Sequence, residues 1–188
     1  MVSVREFSVA VYGAWRFATL DRTAAQFFEN TPGAFWKSFN AAIFVAPGYV
    51  LLTLLGFIER PVEASELRIV CVEAIYYVIS WVLFPLVMLS FTEAAGCPRL
   101  YFRFIGAWNW SAVLQVYFIL GVTAFISSGA LPSDAGTLIA LIASLMTLVY
   151  QGFIAHATLG IAWPVTALVV GIDLFLGIAL ELVSRVLY

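Results

Sequence analysis

Charge is scarce in this 188-residue sequence: 11% of its residues are Asp, Glu, Lys or Arg, and 63% are apolar. Soluble domains carry about 25% charged and 45–50% apolar residues, so a water-soluble globule is excluded. Histidine occurs once and cysteine twice, too few for a metal cluster or a disulfide framework. Cys71 lies in an apolar run and Cys97 in a short loop, where free thiols serve as small hydrophobes. Neither sign of charge dominates: nine basic against eleven acidic side chains give a net charge of −2. No nucleic-acid footprint results, and the expected partners are lipid and protein. The chain also lacks a nucleophile with a partnered base, a phosphate-cradling glycine loop and a clear internal repeat. An enzyme is not expected, nor is a cofactor or a bound metal. Glu6, Arg16 and Asp21 interrupt any apolar signal-peptide region, so the mature chain is expected to begin at Met1.

What is present is long apolar stretches with a mean hydropathy of +1.02, and sixteen Phe, eight Tyr and six Trp. The runs lack the two-residue alternation of an outer-membrane barrel. A crossing helix needs about 20 apolar residues. Five fit, at residues 39–58, 69–92, 105–126, 137–155 and 164–187. The last two come from one apolar stretch too long for a single crossing, broken at residues 156–164, where Pro164 suits the first turn of a new helix. The expected class is all-α: a polytopic bundle of five transmembrane helices over residues 39–188, after an N-terminal segment over residues 1–38.

That N-terminal segment reads as an amphipathic interfacial helix. Val4, Phe7, Val11, Ala14 and Ala18 recur at helical spacing, with Arg5, Ser8, Tyr12 and Arg16 off that stripe. Its apolar side either lies at the acyl boundary with Trp15 at headgroup level, or packs on the ends of the spans. Thr31 and Pro32 form an N-cap and first-turn pair opening a helix that carries Trp36 and Lys37 into the first span. Arg99, Arg103, Trp108 and Trp110 form a second aromatic and basic belt, suited to fixing depth and holding lipid. With the N-terminus inside, Arg5, Arg16, Arg22, Lys37, Arg99 and Arg103 are cytoplasmic and only Arg60, Arg68 and Arg185 are outside. The excess of basic residues favours a cytoplasmic N-terminus in a bacterial-type inner membrane.

Ionisable groups inside a membrane are costly and are functional candidates by default. Asp173 is the deepest, near the middle of the fifth span. Gln115 in the third span and Thr147 or Gln151 in the fourth are placed to meet it. The group is either interhelical polar glue or a proton or solute site. Glu181 has Arg185 at i+4 in the favourable order for a structural ion pair. Glu73 falls in the same outer half, which makes a pairing with Glu181 possible. Pro47, Gly48 and Pro85 should bend the first two spans. Ala140, Ala143 and Ser144, with Ala167, Gly171 and Gly177, should let the last two pack closely.

The polar N-terminal stretch, the five close spans and the final hairpin Tyr150-Gln151-Gly152-Phe153-Ile154-Ala155-His156-Ala157-Thr158-Leu159-Gly160-Ile161 resemble the bacterial branch of the Yip1-like membrane-protein families. Eukaryotic members act in membrane traffic by binding lipidated small GTPases. The resemblance implies a five-span layout and carries over no site residue, and the long soluble N-terminal domain of the trafficking members is missing. The leading expectation is a non-catalytic scaffold or accessory subunit, homo-oligomeric or part of a larger complex. The alternative is a small-solute, ion or proton pathway through Asp173, Gln115 and Gln151, with Glu73 near its mouth.

Overall fold

The computed structural model describes residues 2–59 and 63–187; Met1 and Arg60, on which the expected chain start and part of the charge count rest, lie outside them. Hydrocarbon offers no partner to a backbone amide, so the apolar runs satisfy their own hydrogen bonds as helices. Those helices are α1 (Val4–Ala18), α2 (Pro32–Ser38), α3 (Ala41–Glu59), α4 (Glu66–Ala94), α5 (Tyr101–Ser127), α6 (Ser133–Leu159) and α7 (Trp163–Leu187). Short 3-10 turns cover Arg22–Phe27 and Pro98–Leu100, and no strand occurs among the described residues. Five stretches are long and apolar enough to cross a membrane: Pro32–Ile58, Glu66–Ala94, Pro98–Ser127, Ser133–Leu159 and Trp163–Leu187. These are the five expected crossings, the first four extended by several residues and the last by one. The chain is therefore a multi-pass helical membrane protein.

Local chemistry explains the ends. Thr31 Oγ1 accepts from Ala34 N–H at 3.1 Å with Pro32 in the first turn, as its sequence position indicates. The first apolar stretch therefore begins at Pro32, inside the segment assigned to residues 1–38, and only a turn at Phe39–Asn40 separates α2 from α3. Gly160, at φ +65°, closes α6 by donating to the His156 carbonyl at 3.0 Å, a conformation glycine adopts without a Cβ penalty.

Helix α1 ends the same way with the wrong residue for it. Leu20 sits at φ +58° while its N–H bonds Phe17 O (2.9 Å) and Asp21 N–H bonds Arg16 O (3.1 Å), the two bonds of a Schellman closure. A left-handed L-residue costs about 1–2 kcal/mol, and Leu20 is exposed. Leu20→Gly is therefore expected to stabilise the protein by up to about 1 kcal/mol after the entropy cost of glycine. A thermal melt in detergent checks this, and a lowered Tm would show that the leucine side chain contributes more than its backbone costs.

Helix α5 is the hub, contacting α1, α2, α3 and α6, while α7 joins α6 to α4. The core is concentrated where α3, α5 and α7 begin and α4 and α6 finish. Phe17, Met88, Phe104, Ile105, Ile154 and Val169, all fully buried, lie at that end. Towards the opposite end the helices are largely exposed, as with Ile58, Leu67, Ile75, Leu145, Phe175 and Val186. The bundle thus has one packed end and one open end.

Helix α1 packs on α5 and α6 by part of the expected stripe. Ala14 is buried and Phe7 and Val11 are half-buried, whereas Val4 and Ala18 are exposed, and Ala10, Gly13 and Phe17 complete the buried face. The buried face is turned toward the small residues because the turn after α1 folds back over it. A Cβ on Gly13 would lie 2.8 Å from Phe27 Cβ and 2.8 Å from Phe28 Cε2. Further bonds hold the segment to the bundle. Tyr150 donates to Ala14 O (2.9 Å), Asn30 Nδ2 to Arg99 O (2.5 Å), and Arg103 Nε to Phe28 O (3.2 Å).

Candidate functional site

The site forms where the packed end gives way to the open end, and every span contributes to it. It begins with prolines. Pro85 in α4 has no N–H to give the Trp81 carbonyl, and Pro47 in α3 has none for Ile43. Neighbouring tyrosines bind carbonyls near both prolines: Tyr77 donates to Ala42 O (2.5 Å), Tyr117 to Phe44 O (2.9 Å) and Tyr101 to Pro85 O (2.9 Å). Both helices run on through their prolines, with interhelical hydrogen bonds to carbonyls beside them.

Between the helices lies a chamber of about 250 Å³. Tyr49 lines it from α3, Tyr77, Ser80, Trp81, Phe84 and Pro85 from α4, and Trp108, Asn109 and Gln115 from α5. Gln151 of α6 and Asp173 of α7 complete the wall. Gln151 Nε2 donates to Asp173 Oδ2 at 3.0 Å. Asp173 lies about 15 Å along α7 from Trp163, near the middle of that helix. Asn109, only 3% exposed, donates through Nδ2 to Ser38 Oγ at 2.9 Å.

Three of the four polar residues proposed from sequence therefore meet around one cavity: Asp173, Gln115 and Gln151. The fourth, Glu73, stands one residue back, accepting from the hydroxyl of the wall residue Tyr49 at 2.5 Å. Glu181 takes Arg185 Nη2 at 2.8 Å and Arg185 Nε at 2.9 Å, the expected i,i+4 ion pair.

Asp173 and Gln151 also form one end of a second space, a groove of about 560 Å³ between α6 and α7. It passes Ser144, Thr147 and Leu148 on one side and Leu174, Gly177 and Ile178 on the other, and reaches Glu181 and Arg185. Close approach of these two helices was expected at Gly171 and Gly177, but nothing lies within 4 Å of a Cβ built on either. The tight contact is nearer the loop, where a Cβ on Gly152 would lie 3.5 Å from Thr166 and 3.6 Å from Val170. Glycines farther along leave room beside the groove in place of a seam.

The residues assigned to the membrane surface divide. Arg5, Trp15, Trp36, Lys37 and Arg99 are exposed. Trp108 and Trp110 are not at the surface but buried, because α5 is the central helix and its early turns have neighbours on all sides. Trp108 stacks on Phe84 at 4.4 Å, and Trp110 packs edge-on against Phe7 at 5.8 Å. Arg103 is half-buried and engaged with Phe28 O. Arg16 contacts Asp21 and Tyr12, and Lys37 Nζ lies 2.5 Å from Glu6 Oε1. The Lys37 ammonium, with Ser3, holds the Glu6 carboxyl down at about 2, and Thr23, ahead of Arg16, lowers that of Asp21. Cys71 and Cys97 are free thiols, and burial pushes the Cys97 thiol up.

Tyr49, Tyr77, Trp81 and Asn109 escaped the sequence reading as site residues. A signal was present: Tyr77, Ser80, Trp81 and Phe84 follow i, i+3, i+4, i+7 on α4, and Trp108, Ala112 and Gln115 follow i, i+4, i+7 on α5. No three His, Cys, Asp or Glu side chains among the described residues are grouped to hold a metal. The single histidine, His156, stacks on Trp163 at 4.2 Å with Nδ1 2.7 Å from Ile161 O. No protein-family model, curated protein or solved structure matches the chain.

Proposed function

We propose that this protein provides a pathway or binding site for a small polar or charged solute at mid-membrane, with Asp173 and Gln151 at its centre. The observation that carries this reading is the chamber bordered by all five spans, whose Asp173–Gln151 pair is shared with the groove. A carboxylate serving only as glue between helices would be sealed against a neighbour. Here it borders space on two sides, where a solute or a proton can reach it.

The rest of the reading follows the membrane setting. Most of the basic residues, including Arg5, Arg16, Lys37, Arg99 and Arg103, belong to the segments at the packed end, which supports a cytoplasmic location for that end and for the N-terminus. The exposed Trp15 and Trp36 suit headgroup depth, so α1 serves as an interfacial helix docked on the bundle. The five-span layout is Yip1-like, in the membrane of a bacterial-type cell, with lipid as the surrounding partner.

Aqueous access tests the reading directly. With Cys71 and Cys97 replaced by Ala, Gln115→Cys is expected to react with an impermeant, charged methanethiosulfonate in reconstituted vesicles. Val78→Cys, on the exposed apolar surface of α4, should react at least about tenfold more slowly, because only a hydrated thiol ionises readily. Equal, slow labelling at both positions would overturn the pathway and leave the chain as a scaffold or accessory subunit.

A further inference from the structure

The chemistry of the chamber wall selects among solutes, given the pathway reading on which this step rests. The aromatic part of the wall is nearly continuous. Tyr49 and Tyr77 rings stand 4.8 Å apart, Tyr77 and Trp81 6.1 Å, and Phe84 lies stacked on Trp108. The two tyrosine hydroxyls are engaged with Glu73 and with the Ala42 carbonyl. Ring faces and edges are what these residues have left to offer a solute. The polar part of the wall carries one acid, Asp173, and the amides of Asn109, Gln115 and Gln151. No Lys or Arg borders the chamber among the described residues. A second carboxylate, Glu73, lies just behind Tyr49. An anion would meet acids and electron-rich rings with no basic partner.

An organic cation would meet what it requires. Aromatic cages attract ammonium groups through the negative faces of their rings, and a carboxylate supplies the countercharge. A volume of 250 Å³ holds roughly eight water-sized atoms or groups at about 30 Å³ each. That matches a compact ammonium of about six to eight non-hydrogen atoms.

We infer that the chamber binds a small organic ammonium ion, held by Asp173 within the aromatic wall of Tyr49, Tyr77, Trp81 and Trp108. The groove past Gly177 to Glu181 and Arg185 is its route to the open end of the bundle.

Choline is a suitable probe, with 3,3-dimethylbutan-1-ol as its neutral counterpart of equal shape. Binding is measured by calorimetry on the full chain in a maltoside detergent that has no choline headgroup. The expected result is saturable binding of one choline per chain, with the neutral alcohol at least about tenfold weaker. Asp173→Asn, which can still pair with Gln151, should weaken choline by about tenfold or more. Trp81→Leu should weaken it about fivefold with little effect on the alcohol, which keeps the inference testable if the Asp173 variant fails to fold. Equal binding of the two probes would overturn the inference. So would no binding of choline by a protein whose Gln115→Cys variant labels from water, with the pathway itself left standing. A chamber closed to that label removes the pathway and the cation site together.

Discussion

Gly13→Ala is expected to loosen the N-terminal helix from the bundle and lower the stability of the whole protein. Alanine in mid-helix normally gains about 1 kcal/mol over glycine. Here the added Cβ meets Phe27 Cβ and Phe28 Cε2 at 2.8 Å, closer than carbon atoms approach. Phe27 Cβ cannot swing away, since it moves only with its backbone. Phe28 is buried and stacked on Phe17 at 5.7 Å, and its carbonyl holds Arg103. Overpacking of this kind costs about 1–3 kcal/mol, and the contact with a backbone-fixed atom points to the upper end. A net loss of about 2 kcal/mol is expected, read as a lower Tm in detergent. Hydrogen exchange over residues 4–18 should rise first, because α1 is held through that contact and through Tyr150 at Ala14 O. Unchanged exchange and an unchanged Tm would mean that the turn carrying Phe27 shifts freely. Tyr150 adjoins Gln151, so loosening α1 is also expected to disturb the site.

Asp173→Asn should separate function from folding. The amide keeps a hydrogen-bonding partner for Gln151, and interhelical hydrogen bonds in membranes average only about 0.6 kcal/mol. The Tm should therefore change by no more than about 3 °C. Proton- or cation-driven flux into vesicles should fall by at least about a hundredfold, because asparagine offers neither charge nor an exchangeable acidic proton at mid-membrane. Asp173→Leu should lose the flux and, in addition, about 1 kcal/mol of stability, since the Gln151 amide is then left unpaired. Flux surviving in Asp173→Asn would remove this side chain from the mechanism. Loss of folding in both variants would instead mark it as interhelical glue.

Some of this was legible from residues alone. A stretch of apolar side chains long enough to cross hydrocarbon has no alternative to the helix, so the five crossings, the break at Gly160 and the Glu181–Arg185 pair follow from local pattern. Asp173 stood out because charge is so rare in its surroundings, and Gln115 and Gln151 because amides are nearly as rare. The wall aromatics did not stand out. In a chain with thirty Phe, Tyr and Trp residues, one more ring on a span carries no distinguishing mark. Trp108 and Trp110 misled because aromatic and basic residues in sequence succession usually mark an interface, whereas here they fall on the helix that α1, α2, α3 and α6 pack around.

Sequence by itself determined the class, the number of crossings, their alternating direction and the residues worth suspecting, because the cost of burying backbone and charge in hydrocarbon depends on composition and spacing. Only the tertiary structure decided how each helix is rotated about its axis. Helices such as α4 are apolar around the whole circumference, so no stripe tells which side faces a neighbour. Packing settles that rotation: Gly13 under Phe27, Gly152 against Thr166 and Val170, and tyrosines reaching across to the proline-containing helices. Those contacts turn Asp173 and Gln151 toward each other and toward the chamber, and bring Tyr49 between Glu73 and its wall.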